Sequence, residues 1–169
     1  MLQDELRERL RCEGLVLCED ENTGKCPALI IGNEILISRN VECEAEKNSS
    51  IIHEIGHYMT SPPINLLAES KEIRARYEYR ADRAGILEFI TLDKLLAAYK
   101  AGCRNCWEIC DYLEISERYF LQVMKIYCSK YGVMVNHKGW LFTFNPLHIK
   151  KSRRKNNPDK GFIEDWEGC

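Results

Sequence analysis

The residues best suited to chemistry form one short motif. His53 and His57 lie four residues apart, and Glu54 follows the first histidine, in the pattern His-Glu-x-x-His. On a helix, four residues turn through about 400° and rise about 6 Å, so the two imidazoles share one face. Neutral imidazole is a preferred zinc ligand, and a glutamate beside it is placed to act as a general base. The motif therefore predicts a metal site with His53 and His57 as ligands and Glu54 as the catalytic base.

The helix that carries this motif is expected to be buried. Ile51, Ile52 and Ile55 are apolar neighbours of the histidines. Gly56 lies between them, although a glycine inside a helix costs about 1 kcal/mol relative to alanine. A glycine retained at such a position indicates that another segment packs closely against it.

A hydrolytic zinc site needs a third protein ligand and leaves one position for water. Glu78 lies 21 residues after His57, far enough for the chain to turn at Pro62-Pro63 and return on a second helix. Asp82, four residues after Glu78, shares its face and is suited to accept the free ring N–H of a ligating histidine. Glu78 is thus the predicted third ligand, and the alternatives for this role are Glu69, Glu72, Asp82, His137 and His148.

These motifs resemble those of the ImmA/IrrE-type metallopeptidases. The resemblance rests on His53-Glu54-Ile55-Gly56-His57, on Glu78-Tyr79-Arg80-Ala81-Asp82 in place of the family's Glu-x-x-Ala-Asn/Asp, and on the order of elements from about residue 10 to 131. It implies a gluzincin-like α+β domain, mostly helical, with a small antiparallel sheet beside the metal-binding helix. Residues 84–87, Ala-Gly-Ile-Leu, depart from the family's usual Phe-Ala-Ala pattern.

The resemblance also implies an activity. Family members encoded on phages and mobile elements cleave a helix-turn-helix repressor, and others act in DNA-damage responses. The implied function is a zinc-dependent endopeptidase of narrow specificity, with one Zn²⁺ per chain, Mn²⁺ as the alternative metal, and a DNA-binding repressor as the protein substrate. Zinc would polarise the scissile carbonyl while Glu54 passes a proton from water to the leaving amine. The candidates for an oxyanion donor are Tyr58, Tyr79 and His137.

Local patterns predict the elements that position these residues. Asn48-Ser49-Ser50 is expected to cap the metal-binding helix, and Gly32-Asn33 favours a tight turn between two strands. One metallopeptidase domain over 1–149 and a polar, mobile tail over 150–169 follow from the patterning. The predicted helices cover about 2–12, 51–59, 66–89, 92–101, 105–113 and 117–131, and the predicted strands cover 15–18, 28–31, 34–37, 131–135 and 140–144.

Composition limits the function classes. The chain has 169 residues, a net charge of -2 and a pI near 6.1, without the basic excess typical of proteins that coat nucleic acid. No segment reaches the roughly 18 apolar residues of a membrane span, and the charged start is unlike a signal peptide. We therefore expect a cytoplasmic protein with neither a membrane nor a nucleic acid as direct partner. The nine cysteines are an odd number and are interpreted as reduced thiols.

Cys103, Cys106 and Cys110 fall at helical spacing and form one stripe. Thiolates bind zinc and iron–sulfur clusters, so a second metal site is one interpretation. Reduced cysteine also behaves as a small buried hydrophobe. The single stripe favours three core cysteines.

Residues 105–131 contain a pattern like a helix-turn-helix. Its second helix carries few groups that read bases or bind phosphate, and Glu114 occupies the turn position that usually takes glycine. We expect a helical hairpin that packs the domain or helps to recognise a protein substrate. The alternative function is a DNA-binding or protein-interaction module that uses this hairpin on a silent peptidase fold.

Overall fold

A computed structural model describes residues 2–20, 23–24, 26–60 and 69–152. In this part of the chain, six helices and two small three-stranded sheets form a mostly helical α+β arrangement. None of the described helices is long and apolar enough to cross a membrane. The elements are α1 (Leu2–Glu13), β1 (Val16–Asp20), β2 (Ala28–Ile31), β3 (Glu34–Ser38), α2 (Glu44–Thr60), α3 (Lys71–Phe89), α4 (Leu92–Lys100), α5 (Cys106–Leu113), α6 (Glu117–Tyr131), β4 (Met134–His137), β5 (Trp140–Phe144) and β6 (Leu147–Lys151).

The first sheet has the strand order β1-β3-β2. Strands β2 and β3 form the predicted antiparallel hairpin, with Ala28 opposite Ile37 and Ile31 opposite Glu34. The expectation of a purely antiparallel sheet is wrong, because β1 runs parallel to β3. The hairpin leaves one edge of β3 free, and β1 occupies that edge. The direction of β1 is set by the longer connection between β1 and β2. A local pattern carries no information about that direction.

The second sheet has the order β4-β5-β6, and its strands are antiparallel. Strands β4 and β5 confirm the predicted late hairpin. Strand β6 was not predicted, and it crosses the expected tail boundary at Lys150, because Ile149 is buried opposite Phe142. The rest of the predicted tail, from residue 153, lies outside the described residues.

Helix α2 is longer than predicted at its N-terminal end. The expected caps, Asn48-Ser49-Ser50, lie inside the helix, so the capping prediction is wrong. The hydroxyls of Ser49 and Ser50 donate to backbone carbonyls one turn back, at 2.6 Å and 2.9 Å. They therefore bond within the helix and do not cap its first turn. The helix ends at Thr60, and the predicted stop at Pro62-Pro63 lies outside the described residues.

Helices α2 and α3 cross with their backbones in contact. A Cβ atom on Gly85 would lie 2.4 Å from the carbonyl oxygen of Ile52, so only glycine fits at this point of α3. Gly56 of α2 meets Ala81 of α3 in the same way. The prediction of a close contact at Gly56 is confirmed. Helix α3 begins at Lys71, with Ser70 as its cap, and the earlier predicted start at 66 lies outside the described residues.

The hairpin of α5 and α6 is joined to the first two helices. Glu114, in the left-handed conformation at the turn, accepts hydrogen bonds on its carboxylate from the backbone N–H groups of Leu2 and Gln3, at 3.0 Å and 3.3 Å. The Asn48 side chain donates to the Glu114 carbonyl at 3.0 Å. These bonds cap α1 and hold the turn against α2, so the hairpin is a packing element of the domain.

Candidate metal centre

The two histidines of the motif lie on one face of α2, as their spacing predicts. Their Nε2 atoms are 3.1 Å apart, and the rings meet edge to face with an interplanar angle of 85°. His57 is buried and His53 is half-buried. Two ring nitrogens that face each other at this distance share one proton or one cation, because two bare lone pairs would repel.

Glu78 on α3 completes the group. Its Oε2 atom lies 3.1 Å from His53 Nε2 and 3.5 Å from His57 Nε2. Across the described ranges, this is the one cluster of three or more histidine, cysteine or acidic side chains close enough to hold a metal ion. The alternatives Glu69, Glu72, His137 and His148 do not belong to it.

The donor set fits zinc in both chemistry and spacing. Two imidazole nitrogens and a carboxylate oxygen form a ligand set found in hydrolytic zinc sites. Donors about 2.0–2.1 Å from a zinc ion at tetrahedral angles are separated by about 3.3 Å. The three separations observed here, 3.1, 3.1 and 3.5 Å, bracket that value.

Asp82 orients the first histidine. Nδ1–H of His53 donates to Asp82 Oδ1 at 2.8 Å, so the Nε2 atom is left to face His57 and Glu78. Burial lowers the pKa of His53, but hydrogen bonds to Asp82 and Glu78 outweigh burial and raise it to about 10 in the metal-free protein. Hydrogen bonds to His53 and His57 hold the pKa of Glu78 well below its usual range. A carboxylate behind the ring and another beside it thus create a strongly cation-attracting position.

Glu54 is buried beside the histidines, with 8% of its surface exposed. Burial raises the pKa of its carboxyl group, against the opposing charges of His53 and His57. The backbone of Ile30, on the edge strand β2, hydrogen bonds the carboxylate and also favours its charged form. A carboxylate with raised proton affinity at this place suits a general base.

Comparisons of the chain with protein-family models, with characterised proteins and with solved structures find no match.

The three candidate oxyanion donors occupy different surroundings. Tyr58 follows His57 on α2, and the residue is 41% exposed. The Tyr79 hydroxyl lies 2.9 Å from the hydroxyl of Ser129 on α6. His137 Nε2 lies 2.8 Å from a carboxylate oxygen of Asp93 at the start of α4. Tyr79 and His137 are thus held by partners other than the three donor atoms.

The cysteine stripe is only partly buried. Cys110 is buried and Cys103 is half-buried, but Cys106 is exposed, so the prediction of three core cysteines is wrong for that residue. Cys106 is the first residue of α5, where no preceding turn of the helix covers it. Its sulfur lies 3.9 Å from that of Cys110, and both thiols are free.

Sequence reasoning missed Tyr119, a buried residue in the first turn of α6. Burial, with the negative charge of Asp82, raises the pKa of its phenol. An aromatic residue on the apolar face of a helix normally belongs to the core, so no local pattern separates Tyr119 from its neighbours.

Proposed function

We propose that this protein is a zinc-dependent endopeptidase with a gluzincin-like site. The observation that carries the proposal is the triangle of His53 Nε2, His57 Nε2 and Glu78 Oε2, with sides of 3.1 to 3.5 Å. Glu54, buried beside this triangle, supplies a base at the place where hydrolysis needs one. A structural cluster of surface charges would not require a buried carboxylate next to two histidines.

Each residue has a defined task in this proposal. His53, His57 and Glu78 would hold the ion, and Asp82 keeps the His53 ring in the orientation that presents Nε2. When bound, zinc supplies a Lewis acid that polarises a carbonyl group and lowers the pKa of water. Glu54 accepts the proton of the attacking water and delivers it to the leaving amine.

The sheet beside α2 offers a place for an extended peptide. Among the strands that the structure describes, β2 lies at an edge of its sheet and has β3 as its one neighbour. The backbone of Ile30 in this strand hydrogen bonds the Glu54 carboxylate, so the strand lies next to the proposed base. Unpaired backbone groups on an edge strand can pair with an extended segment of another chain. This arrangement favours a protein substrate over a small molecule.

The proposed substrate is a helix-turn-helix repressor of a phage or mobile element. This choice follows from the resemblance of the two motifs, residues 53–57 and 78–82, to the ImmA/IrrE-type metallopeptidases. An extended segment of such a regulatory protein could pair with the edge strand β2. The α5–α6 hairpin is used for packing through Glu114, which favours the peptidase over the DNA-binding alternative.

The proposal is tested by incubating the zinc-loaded protein with repressors encoded beside its gene. We expect cleavage at one bond, lost on chelation and restored by zinc. Glu54→Gln keeps the three metal donors, and we expect it to bind zinc but to cleave at least about 100-fold more slowly. Equal cleavage by Glu54→Gln, or cleavage that survives chelation, would contradict the proposal. Salt-dependent binding of duplex DNA that survives chelation would support the DNA-binding alternative.

A further inference from the structure

Two of the cysteines on α5 face each other across one helical turn. The sulfur atoms of Cys106 and Cys110 lie 3.9 Å apart, and both thiols are free. Residues four apart on a helix are neighbours on its surface, so the helix itself holds the pair together. Two thiols at this distance offer two soft sulfur donors to one cation.

The two cysteines have different surroundings, and each of them borders open space. Cys106 is exposed, whereas only 4% of Cys110 is exposed. Cys110 nevertheless lines a cleft of about 440 Å³ between α1, α2 and α5, together with Asn48 and Asp111. A cysteine of the core would have apolar neighbours on every side. This pair instead lies where an ion can reach it from solvent.

The number of donors selects the kind of ion. Two thiolate sulfurs about 2.3 Å from one zinc ion at tetrahedral angles would be about 3.8 Å apart, so the observed 3.9 Å suits one shared ion. A structural zinc site needs four protein donors, however. Among the described residues, no third histidine, cysteine or acidic donor lies close enough to join the two sulfurs in a metal-binding group. Cu(I) is a soft cation that thiolates prefer, and two sulfurs suffice to hold it.

The protons of the two thiols favour the same ion. Burial raises the pKa of the Cys110 thiol, and the neighbouring Cys106 raises it further. A cation must therefore displace a firmly held proton at Cys110, which favours a strongly thiophilic cation over zinc. Cys106 is the first residue of α5, where the positive end of the helix dipole favours a charged thiolate.

We propose that Cys106 and Cys110 form a two-sulfur site for Cu(I), separate from the histidine–glutamate centre. Each thiol releases its proton as its sulfur binds, so one Cu(I) replaces two protons and no electron is transferred. The two donor sets sort the metals by type, with nitrogen and oxygen donors on α2 and α3 for Zn²⁺ and sulfur donors on α5 for Cu(I). The inference goes beyond the proposed peptidase function and does not depend on it.

The test is an anaerobic titration of the full, zinc-loaded chain with Cu(I), in competition with a Cu(I) chelator of known affinity. Cys106→Ser replaces one exposed sulfur with oxygen and should leave the fold intact. Loss of an outer-shell partner weakens metal binding by about 10–100-fold, so we expect the loss of a ligand to weaken Cu(I) binding at least about 100-fold. Cys110→Ala should cause a similar loss.

Cys12→Ser is the matched control for the titration. Cys12 is also exposed on a helix, but its sulfur lies 3.5 Å from the Glu8 carboxylate instead of facing a second thiol. We expect one tightly bound Cu(I) in the wild type and in this control. Unchanged Cu(I) affinity in Cys106→Ser, or an equal loss in Cys12→Ser, would overturn the inference.

X-ray absorption at the copper edge identifies the donors directly. We expect two sulfur neighbours and no nitrogen neighbour in the wild type, whereas nitrogen neighbours would place the copper at the histidines and overturn the inference. The zinc content of Cys106→Ser tests the other centre separately. One zinc per chain, with Cu(I) binding lost, supports both sites. A wild type that binds Cu(I) through two sulfurs but binds no zinc supports this inference and contradicts the proposed zinc centre.

Discussion

A Cβ atom on Gly56 would lie 2.1 Å from the carbonyl oxygen of Ala81, so α2 and α3 touch through their backbones at this point. Gly56 is the residue before His57, and Ala81 is the residue before Asp82. The contact therefore lies inside the site and sets the distance between the helix of the histidines and the helix of the acids. Only glycine fits at this position of α2, because this spacing leaves no room for a side chain.

Gly56→Ala is predicted to weaken both the fold and the metal centre. The added methyl group collides with backbone, which cannot move aside as a flexible side chain would, so we expect a loss of at least about 2 kcal/mol in the free energy of unfolding. The separation of α2 from α3 should also pull Glu78 from the histidines and reduce zinc affinity. Urea denaturation and chelator competition measure the two effects.

Ser50→Ala is the control for that experiment. It alters the same helix but removes a hydroxyl that bonds the helix's own Glu46 carbonyl at 2.9 Å, and it adds no atom to the interface. We expect its stability to change by less than about 0.5 kcal/mol. If Gly56→Ala were as stable as Ser50→Ala and bound zinc normally, the close crossing would not be what spaces the donors.

Asp82→Asn is predicted to weaken zinc binding by about 10–100-fold while leaving the chain folded. The amide lacks the negative charge that holds the Nδ1–H of His53. Asp93→Asn is a matched control, since Asp93 pairs with His137 at the same 2.8 Å on the surface, away from the three donors. Competition with a chelator compares the two, and similar affinities would refute the orienting role of Asp82.

The stability of the metal-free protein is predicted to fall as pH rises from neutral into the alkaline range. His53 has a folded-state pKa of about 10, above the value of about 6.5 expected when unfolded. A raised pKa contributes stability that is fully present below the unfolded value and is lost as pH rises through the folded value. Urea denaturation at several pH values between these limits, with a chelator present, measures this loss.

Lysine, tyrosine and cysteine side chains also titrate in that range, so the comparison with Asp82→Asn is decisive. Asp82 is the main group that raises the pKa of His53, and its amide should flatten the decline. Bound zinc should flatten it also, because a ligating histidine carries no proton on Nε2. Parallel pH profiles of the metal-free wild type and Asp82→Asn would rule out this explanation.

Glu114→Ala is predicted to destabilise the protein by about 1–2 kcal/mol, because α1 loses the acceptor of its first two N–H groups. Glu114→Gln should lose less, since its amide oxygen can still accept. Thermal or urea unfolding measures both variants. Zinc affinity should stay unchanged in the two variants, and a large loss would mean that the hairpin turn takes part in metal binding.

Much of the fold could be predicted because local patterns determine it. The Gly32-Asn33 turn fixes the β2–β3 hairpin, and the helices predicted over about 92–101 and 105–113 form as α4 and α5. The start of α2 could not be predicted, because Asn48, Ser49 and Ser50 have side chains that either cap a helix or bond within one. Their partners, including the Glu114 carbonyl, lie far along the chain. Strand β6 likewise depends on pairing with β5.

The three candidate metal donors also differ in how far local sequence information could identify them. The spacing of His53 and His57 is a local property, so their common face was predictable. The choice of Glu78 over Glu72 depends on where α3 crosses α2. Gly56 indicates from sequence that a segment packs closely against α2, but not which residue of α3 lies there.

The central claim is that His53, His57 and Glu78 hold one zinc ion. The most direct measurement is the metal content of purified, zinc-loaded wild type beside His57→Ala, Glu78→Ala and the control Glu72→Ala, an exposed acid on the same helix. We expect one zinc per chain in the wild type and in Glu72→Ala, and no bound zinc in His57→Ala and Glu78→Ala. Zinc retained in Glu78→Ala, or absent from the wild type after loading, would contradict it.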